Sequence, residues 1–255
     1  MGNLGHELES IVTVRAIRAT VFRHFTDSRR VAAWWGAGSR VDPRPGGEVY
    51  IRYPNGVEAA GAVVELEEPE RIVFTYGYAS GLPFGPGASL VTVALAAHAE
   101  GTALTLRHAF ADAAARDQHV QGWRYQLAVL ANVAAREQHA GVEAIADRFL
   151  AVWSETDDAA RRAGLAAIAV ADLSFRDEWA ATGGIDALAA HIGAAQQHMP
   201  GVRLEREGPV RHCQGTALVD WVVRGRDGAV SRRGTNVLEL APDGRIAGVV
   251  GLWAQ

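Results

Sequence analysis

Lysine is absent from this chain; all 25 basic side chains are arginine. That excludes two chemistries that need a lysine amine, phosphate cradling by a P-loop and Schiff-base catalysis. Cysteine is nearly absent as well. Cys213 stands alone, so no intrachain disulfide and no paired-cysteine metal site can form, and a reducing compartment fits. No apolar run reaches the ~18 residues needed to span a membrane. A surplus of positive charge is also missing, since the net charge is −4. Residues 1–138 hold 13 Arg against 14 acids and 139–255 hold 12 against 15, so neither half looks like a nucleic-acid binder. The opening MGNLGHELES carries acids where a secretory leader carries basic residues and then an apolar stretch. The expectation is a cytoplasmic chain without nucleic-acid or membrane partners.

What is present is core material. Apolar residues make up 49% and charged residues 21%, a globular balance with enough length for two small domains. The bias toward Arg, Ala and Gly reads as a GC-rich genome rather than as function.

In the first half, 11–16 alternates as a strand. Two short helices follow at 19–26 and 28–35, with Asp27 or Ser28 as the cap. Strands are expected at 48–53, 57–66, 71–78, 89–97 and 102–110, separated by turns at Asn55-Gly56, Glu68-Pro69 and Glu100-Gly101. A long helix spans 112–137, with His119, Trp123, Leu127 and Leu130 on one stripe. Strands followed by one long helix imply a curved antiparallel sheet gripping that helix.

The residues Val21-Phe22, Phe25-Thr26-Asp27, Trp34-Trp35-Gly36, Pro45-Gly46-Gly47 and Glu68-Pro69-Glu70-Arg71-Ile72-Val73-Phe74-Thr75 resemble the START-like helix-grip superfamily. So do 102–108 and His119-Val120-Gln121-Gly122-Trp123, which match the last strand and long helix of the branch named for activators of the heat-shock-protein-90 ATPase. The resemblance implies an α+β fold and a cavity between sheet and helix. It does not carry co-chaperone activity, because a fold alone does not fix function. Tyr76, Tyr78 and Trp123 are the expected cavity members, since their polar atoms need partners when buried. His108 shares the inward parity of Leu104 and Leu106 and is either a ligand contact or a satisfied core histidine. Trp34 with Trp35 forms either a pocket lip or a helix-end plug. This half offers no carboxylate pair and no nucleophile–base pair.

The chain crosses to a second domain near 138–141. Helices are expected at 141–155, 158–169 and 185–198, with Thr156, Asp157 or Asp158 capping the second. A strand at 173–177 precedes the third helix, and strands follow at 202–207, running on toward His212, then 216–224, 229–240 and 245–253. Their turns carry Gln214-Gly215, Asp227-Gly228 and Asp243-Gly244. Three helices in a bent antiparallel sheet make an α+β cone with one open end.

Arg148-Phe149, Trp153, Phe175-Arg176-Asp177, Gly184, Leu188, His191, Gly234-Thr235-Asn236, Asp243-Gly244-Arg245-Ile246 and Gly251-Leu252-Trp253 resemble the nuclear-transport-factor-2-like superfamily. That superfamily includes ketosteroid isomerases, polyketide cyclases, limonene-epoxide hydrolase and many non-enzymes. The resemblance implies positions for an isomerase's working groups. Asp177 occupies the place of the general base, Asn236 replaces a protonated aspartate that donates to the oxyanion, and Phe149 replaces a tyrosine donor. Loss of one such donor costs about 2.7–4 kcal/mol of transition-state stabilisation. Steroid isomerisation by that route is therefore not expected.

Asp177 facing Asn236 in an apolar cone is still the minimum for taking a proton beside a carbonyl. The alternative is a strand-end cap and an amide that satisfies backbone. His191 on the third helix is a candidate acid or orienting group, or a surface histidine. Phe149, Trp153, Trp221 and Trp253 are the expected walls. No metal or cofactor motif occurs, so none is expected. Three functions follow: binding of a polyketide-, terpene- or steroid-like metabolite by both pockets, cofactor-independent isomerisation or cyclisation (or hydrolysis) in the second domain, and a homodimer through the second domain's sheet, which the resemblance implies.

Overall fold

The computed structural model describes residues 4–254. Residues 1–3 and Gln255, the outermost residues of the two expected domains, lie outside the described residues. The chain divides into two compact units, 1–138 and 139–255, each with its own sheet and core.

The first unit runs β1 (His6–Val14), α1 (Arg18–Thr26), α2 (Ser28–Trp35), β2 (Arg40–Val41), β3 (Glu48–Arg52), β4 (Glu58–Glu67), β5 (Arg71–Tyr76), β6 (Ser89–His98), β7 (Gly101–Phe110) and α3 (Ala113–Gln138). Its seven strands form one antiparallel sheet in the order β1-β7-β6-β5-β4-β3-β2. Asp27 caps α2, its Oδ1 accepting from the Arg30 amide at 3.0 Å. Strict alternation on β7 sends Thr102, Leu104, Leu106, His108 and Phe110 inward. The facing stripe of α3 buries Ala115, Trp123, Leu127, Leu130 and Ala134. Burial of each large apolar side chain here stabilises the fold by about 1.5–3 kcal/mol.

β1 starts at His6, not at residue 11. Its first half presents Glu7 and Glu9 to solvent, where Arg107 on β7 reaches Glu9 Oε2 at 2.7 Å. That polar stretch is held by its ladder and by charge across strands rather than by apolar alternation.

The second unit runs α4 (Val142–Val152), α5 (Asp158–Ala166), β8 (Ala169–Arg176), β9 (Ala181–Gly183), α6 (Ile185–His198), β10 (Arg203–Arg206), β11 (Arg211–Cys213), β12 (Thr216–Arg224), β13 (Val230–Leu240) and β14 (Ile246–Trp253). The sheet order is β10-β12-β13-β14-β8-β9, with β11 also on β12. One pair departs from the expected antiparallel sheet: β14 runs parallel to β8. The expected strand at 202–207 running on toward His212 is two short strands, both on β12. Asp157 is the cap of α5, accepting from the Ala160 amide at 2.7 Å. α5 ends at Ala166 because Ala169 already belongs to β8, which pairs with Ile246 on β14.

Two polar anchors fix the turn between α4 and α5. The buried Arg161 guanidinium donates to the carbonyls of Ala189 and Glu155 and to Asp158, each at 2.9 Å. Gln196 Nε2 on α6 donates to the carbonyls of Trp153 at 2.9 Å and Glu155 at 2.8 Å. Trp153, which ends α4, is thereby held against α6. No helix among the described residues is long and apolar enough to cross a membrane.

Candidate functional site

The first unit holds a cavity of about 330 Å³ beside α3. Its walls include Trp35, Tyr53, Tyr76, Tyr78, His119 and Trp123. Most polar atoms of this aromatic wall are engaged with one another. Trp123 Nε1 donates to His108 Nδ1 at 3.0 Å. The proton of His108 therefore sits on Nε2, which donates to Ser89 Oγ at 2.8 Å, and the Ser89 hydroxyl donates in turn to the Tyr76 carbonyl at 2.9 Å. Burial, helped by the nearby His119, pushes the His108 pKa down to about 2. It is a neutral relay in the core.

His119 follows the same logic. Its Nδ1 lies 2.7 Å from the Ala115 carbonyl, which can only accept, so Nδ1 carries the proton. Nε2 then accepts from the Tyr78 hydroxyl at 3.1 Å. Burial lowers its pKa too. Tyr53 and Tyr76 hydroxyls meet at 2.9 Å, and burial raises both phenols. The exception in this wall is Gln126, whose buried Oε1 has no partner among the described residues.

Of the residues singled out by sequence in this unit, Tyr76, Tyr78 and Trp123 line the cavity. His108 stands behind it, bonded to the wall rather than part of it. Trp34 is also off the cavity. Its indole nitrogen donates to the His24 carbonyl at 2.8 Å and its ring stacks on Trp35 at 4.5 Å, so Trp35 reaches the cavity and Trp34 plugs the helix end. Sequence reasoning passed over Tyr53 and His119 as cavity residues. For His119 the signal was its place one helical turn before Trp123 on the same stripe.

The second unit holds a cavity of about 440 Å³ lined by Trp153, Asp177, Trp179, His191, Met199 and Trp253, among others. A smaller chamber of about 20 Å³ shares Trp153, Asp177, Met199 and Trp253 with it and adds Trp221 and Asn236. Asp177 and Asn236, from β8's end and from β13, thus meet at one chamber. His191 projects from α6 between Trp153 and Phe175.

Asp177 opens the turn into β9. Its Oδ1 accepts from the amides of Trp179 at 2.9 Å and Ala180 at 2.8 Å. That turn fixes the carboxylate plane and leaves Oδ2 toward His191, whose Nε2 lies 3.9 Å away. The separation is too long for a hydrogen bond and short enough for a charge interaction when the imidazole is protonated. The side chain of Asp177 is 4% exposed and that of His191 is 19% exposed, so the pair sits in the cavity wall.

Two glycines make room for this arrangement. A Cβ on Gly234 would stand 2.3 Å from Trp221 Cζ2, so only glycine lets that indole lie flat across β13. A Cβ on Gly251 would reach 3.3 Å from Asp177 Cβ and 3.5 Å from Asn236 Oδ1, filling the space between them. Trp179, Trp253 and Trp221 follow one another edge to face, with ring centres 4.7 and 4.8 Å apart. Phe149 lies in the core, 1% exposed, and is not on either wall. Trp179 and Met199 reach the cavity from connecting segments that have no periodicity to announce them. Among the described residues no group of three or more His, Cys, Asp or Glu could hold a metal ion.

Residues 15–135 match the family described as activator of Hsp90 ATPase homolog 1-like protein. A solved protein of the SnoaL-like family from Agrobacterium tumefaciens is 30% identical, covering 47% of this chain and 99% of its own, with a TM-score of 0.43. MLL2253 from Mesorhizobium loti is 19% identical over 51% of this chain and 98% of its own, with a TM-score of 0.46. CalU16 from Micromonospora echinospora is 25% identical over 51% and 76%, with a TM-score of 0.41. No curated protein matches the chain. Residues 15–135 give the N-terminal region a START-like domain of the Hsp90-ATPase-activator-like family, and the solved SnoaL-like protein is similar to about half of the chain.

Proposed function

We propose that each unit binds a hydrophobic small molecule and that the second unit acts on its ligand as a cofactor-independent isomerase or cyclase. The two folds support a ligand-binding or isomerase- or cyclase-type function at the coarse level. The finer reading rests on one observation: the Asp177 carboxylate is clamped through Oδ1 by two amides while Oδ2 faces an apolar cavity wide enough for a multi-ring metabolite.

In this reading Asp177 Oδ2 takes a proton from a carbon beside a ligand carbonyl. The electron pair of that C–H bond moves onto the carbonyl oxygen and forms an enolate. The proton then returns from Asp177 to another carbon for isomerisation, or the enolate carbon attacks a second carbonyl of the same ligand for cyclisation and the proton on Asp177 passes to the alkoxide so formed. No redox partner is needed. His191 orients the carboxylate, and Trp153, Trp179 and Trp253 exclude water from it. The first unit contributes binding alone, since its histidines are engaged with other wall residues and no carboxylate lines its cavity.

The test is Asp177→Asn. Asparagine keeps an oxygen for the two amides, so the turn persists, but it is not a base. Solvent deuterium incorporation into a panel of polyketide-, terpene- and steroid-like ketones should fall about 10²–10⁴-fold with ligand affinity retained. Exchange at the wild-type rate in the variant, or none in the wild type across a panel that it binds, would reduce the second unit to a binding module.

A further inference from the structure

The core-facing side of the second sheet carries one cation. On β13, Gly234, Asn236, Leu238 and Leu240 are buried in alternation. Their partners across the ladder include Val219 opposite Asn236 and Trp221 opposite Gly234, both in the core. Arg232 continues the alternation two residues before Gly234, and its partner is Val223, also in the core. Residues directly opposite on a ladder share a face, so the Arg232 side chain leaves β13 on the core-facing side. It is exposed, and it lines the cavity of about 440 Å³ that contains Asp177.

The arginines next to it in the sheet behave differently. Arg224 and Arg233 lie on the opposite face, where Arg224 Nε donates to Glu205 at 2.7 Å and Arg233 Nε to Glu207 at 3.2 Å. Arg232 makes no ion pair and no side-chain hydrogen bond with the described residues. Its guanidinium carbon lies 5.6 Å from the centre of the Trp253 ring instead. Glu178 borders the space outside the cavity with Arg232 but is not within ion-pair distance of it. A guanidinium attracted to a ring face is held by the quadrupole and keeps its N–H donors for another partner.

The cavity therefore has a charge at each end of its depth. Asp177 is 4% exposed in the wall and negative, while Arg232 is exposed and permanently positive. His191 and His198 are the other titratable groups lining it. An anionic ligand is repelled by Asp177 and drawn to Arg232, so it enters with its uncharged end first. A cationic ligand would have to carry its charge past Arg232. The planar fork of a guanidinium offers two parallel N–H bonds, which match the two oxygens of a carboxylate. Trp153, Trp179 and Trp253 supply apolar ring surface for the remainder.

We propose that Arg232 binds the anionic group of the second unit's ligand, which is an apolar carboxylic acid seated ring-first with its carboxylate at Arg232. This rests on the reading of that cavity as a ligand site, and not on Asp177 as a base.

The probes are 2-naphthoate and its neutral isostere 2-naphthamide, added to the full chain. Two ¹⁵N–¹H resonances report on this unit: the Arg232 Nε–Hε, identified by its loss in Arg232→Gln, and the Trp153 indole, identified by its loss in Trp153→Phe. The Arg232 resonance should shift with 2-naphthoate and not with 2-naphthamide. Titrating the indole shift should show 2-naphthoate binding about tenfold more tightly, a preference that shrinks as salt is raised. Arg232→Gln should abolish the preference and leave 2-naphthamide affinity unchanged, and Arg232→Lys, which keeps the charge without the fork, should fall between. An intact preference in Arg232→Gln, or an Arg232 resonance moved equally by both probes, would overturn the proposal. If both probes move the Trp153 indole with equal affinity, the cavity is a ligand site and the anion assignment alone falls. If neither moves it, the ligand-site reading falls too. Should Arg232→Gln not fold, Arg232→Lys and the salt dependence of the wild type still decide. Loss of exchange in Asp177→Asn bears on the base and leaves this preference in place.

Discussion

The two units treat the polar atoms around their cavities in opposite ways. In the first, Trp123, His108, Ser89 and the Tyr76 carbonyl form a closed relay, and Tyr78 and His119 form another. In the second, the indole nitrogens of Trp153 and Trp221 are buried without a hydrogen-bond partner among the described residues, and Asp177 Oδ2 lies toward His191. A wall whose aromatic polar atoms bond one another, with Gln126 Oε1 the exception, asks little of a ligand beyond shape and apolar surface. A wall whose donors are unmet carries that cost in the fold.

Four perturbations break or sharpen this contrast. The largest effect belongs to His108→Leu, which leaves the Trp123 N–H without its acceptor inside the core and removes the bond that Ser89 Oγ accepts, while Ser89 still donates to the Tyr76 carbonyl. It should destabilise the first unit by about 2–5 kcal/mol, read as a fall in the urea midpoint of its unfolding transition. Acid comes next. The unfolded chain protonates His108 below about pH 6.5, but the folded chain resists down to about 2. The unfolded state therefore binds more protons across that window, and stability present above it is lost as pH falls. Between pH 7 and 4.5 the loss should be about 2–3 kcal/mol from this residue, followed by urea melts at each pH. His24 and His119, lowered mainly by burial, push the same way.

Tyr78→Phe removes one donor and should cost about 0.5–1.5 kcal/mol by the same melts, since His119 Nε2 can turn to water at the cavity. The smallest change is expected for Trp221→Phe. Lost ring packing opposes relief of an unmet donor, and the second unit's stability should move by less than about 1 kcal/mol. If His108→Leu and Trp221→Phe cost the same, the distinction between paired and unmet donors is wrong.

Much of the fold was legible because its signals are local. The spans of α2 at 28–35, α6 at 185–198 and β12 at 216–224 follow from an Asp27 cap, a Gly183-Gly184 break and an apolar run bounded by turns. The two- and three-residue strands β2, β9 and β11 were not legible, because such short segments carry no period. The parallel β14–β8 pair is set by where the chain returns, which no single strand encodes. At the sites, parity set Trp221 and Asp220 on opposite faces of β12 without saying which faces inward; Trp221 is the buried one, and Asp220 meets Arg211 and Thr235. Parity failed to separate Trp34 from Trp35, because neighbours on a helix differ by 100° rather than by a face. It also placed His108 inward without showing that Trp123 and Ser89 use both its nitrogens. A missing partner, as at Trp153, is visible only in three dimensions.

Gly251 bears on how such a site would change over generations. The space between Asp177 and Asn236 exists because one residue has no side chain, and a single methyl would close it. Drift from glycine to alanine is one nucleotide away, leaves every hydrogen bond drawn above intact and suits a β-strand. An alanine there would keep the strand and narrow the space between the two side chains.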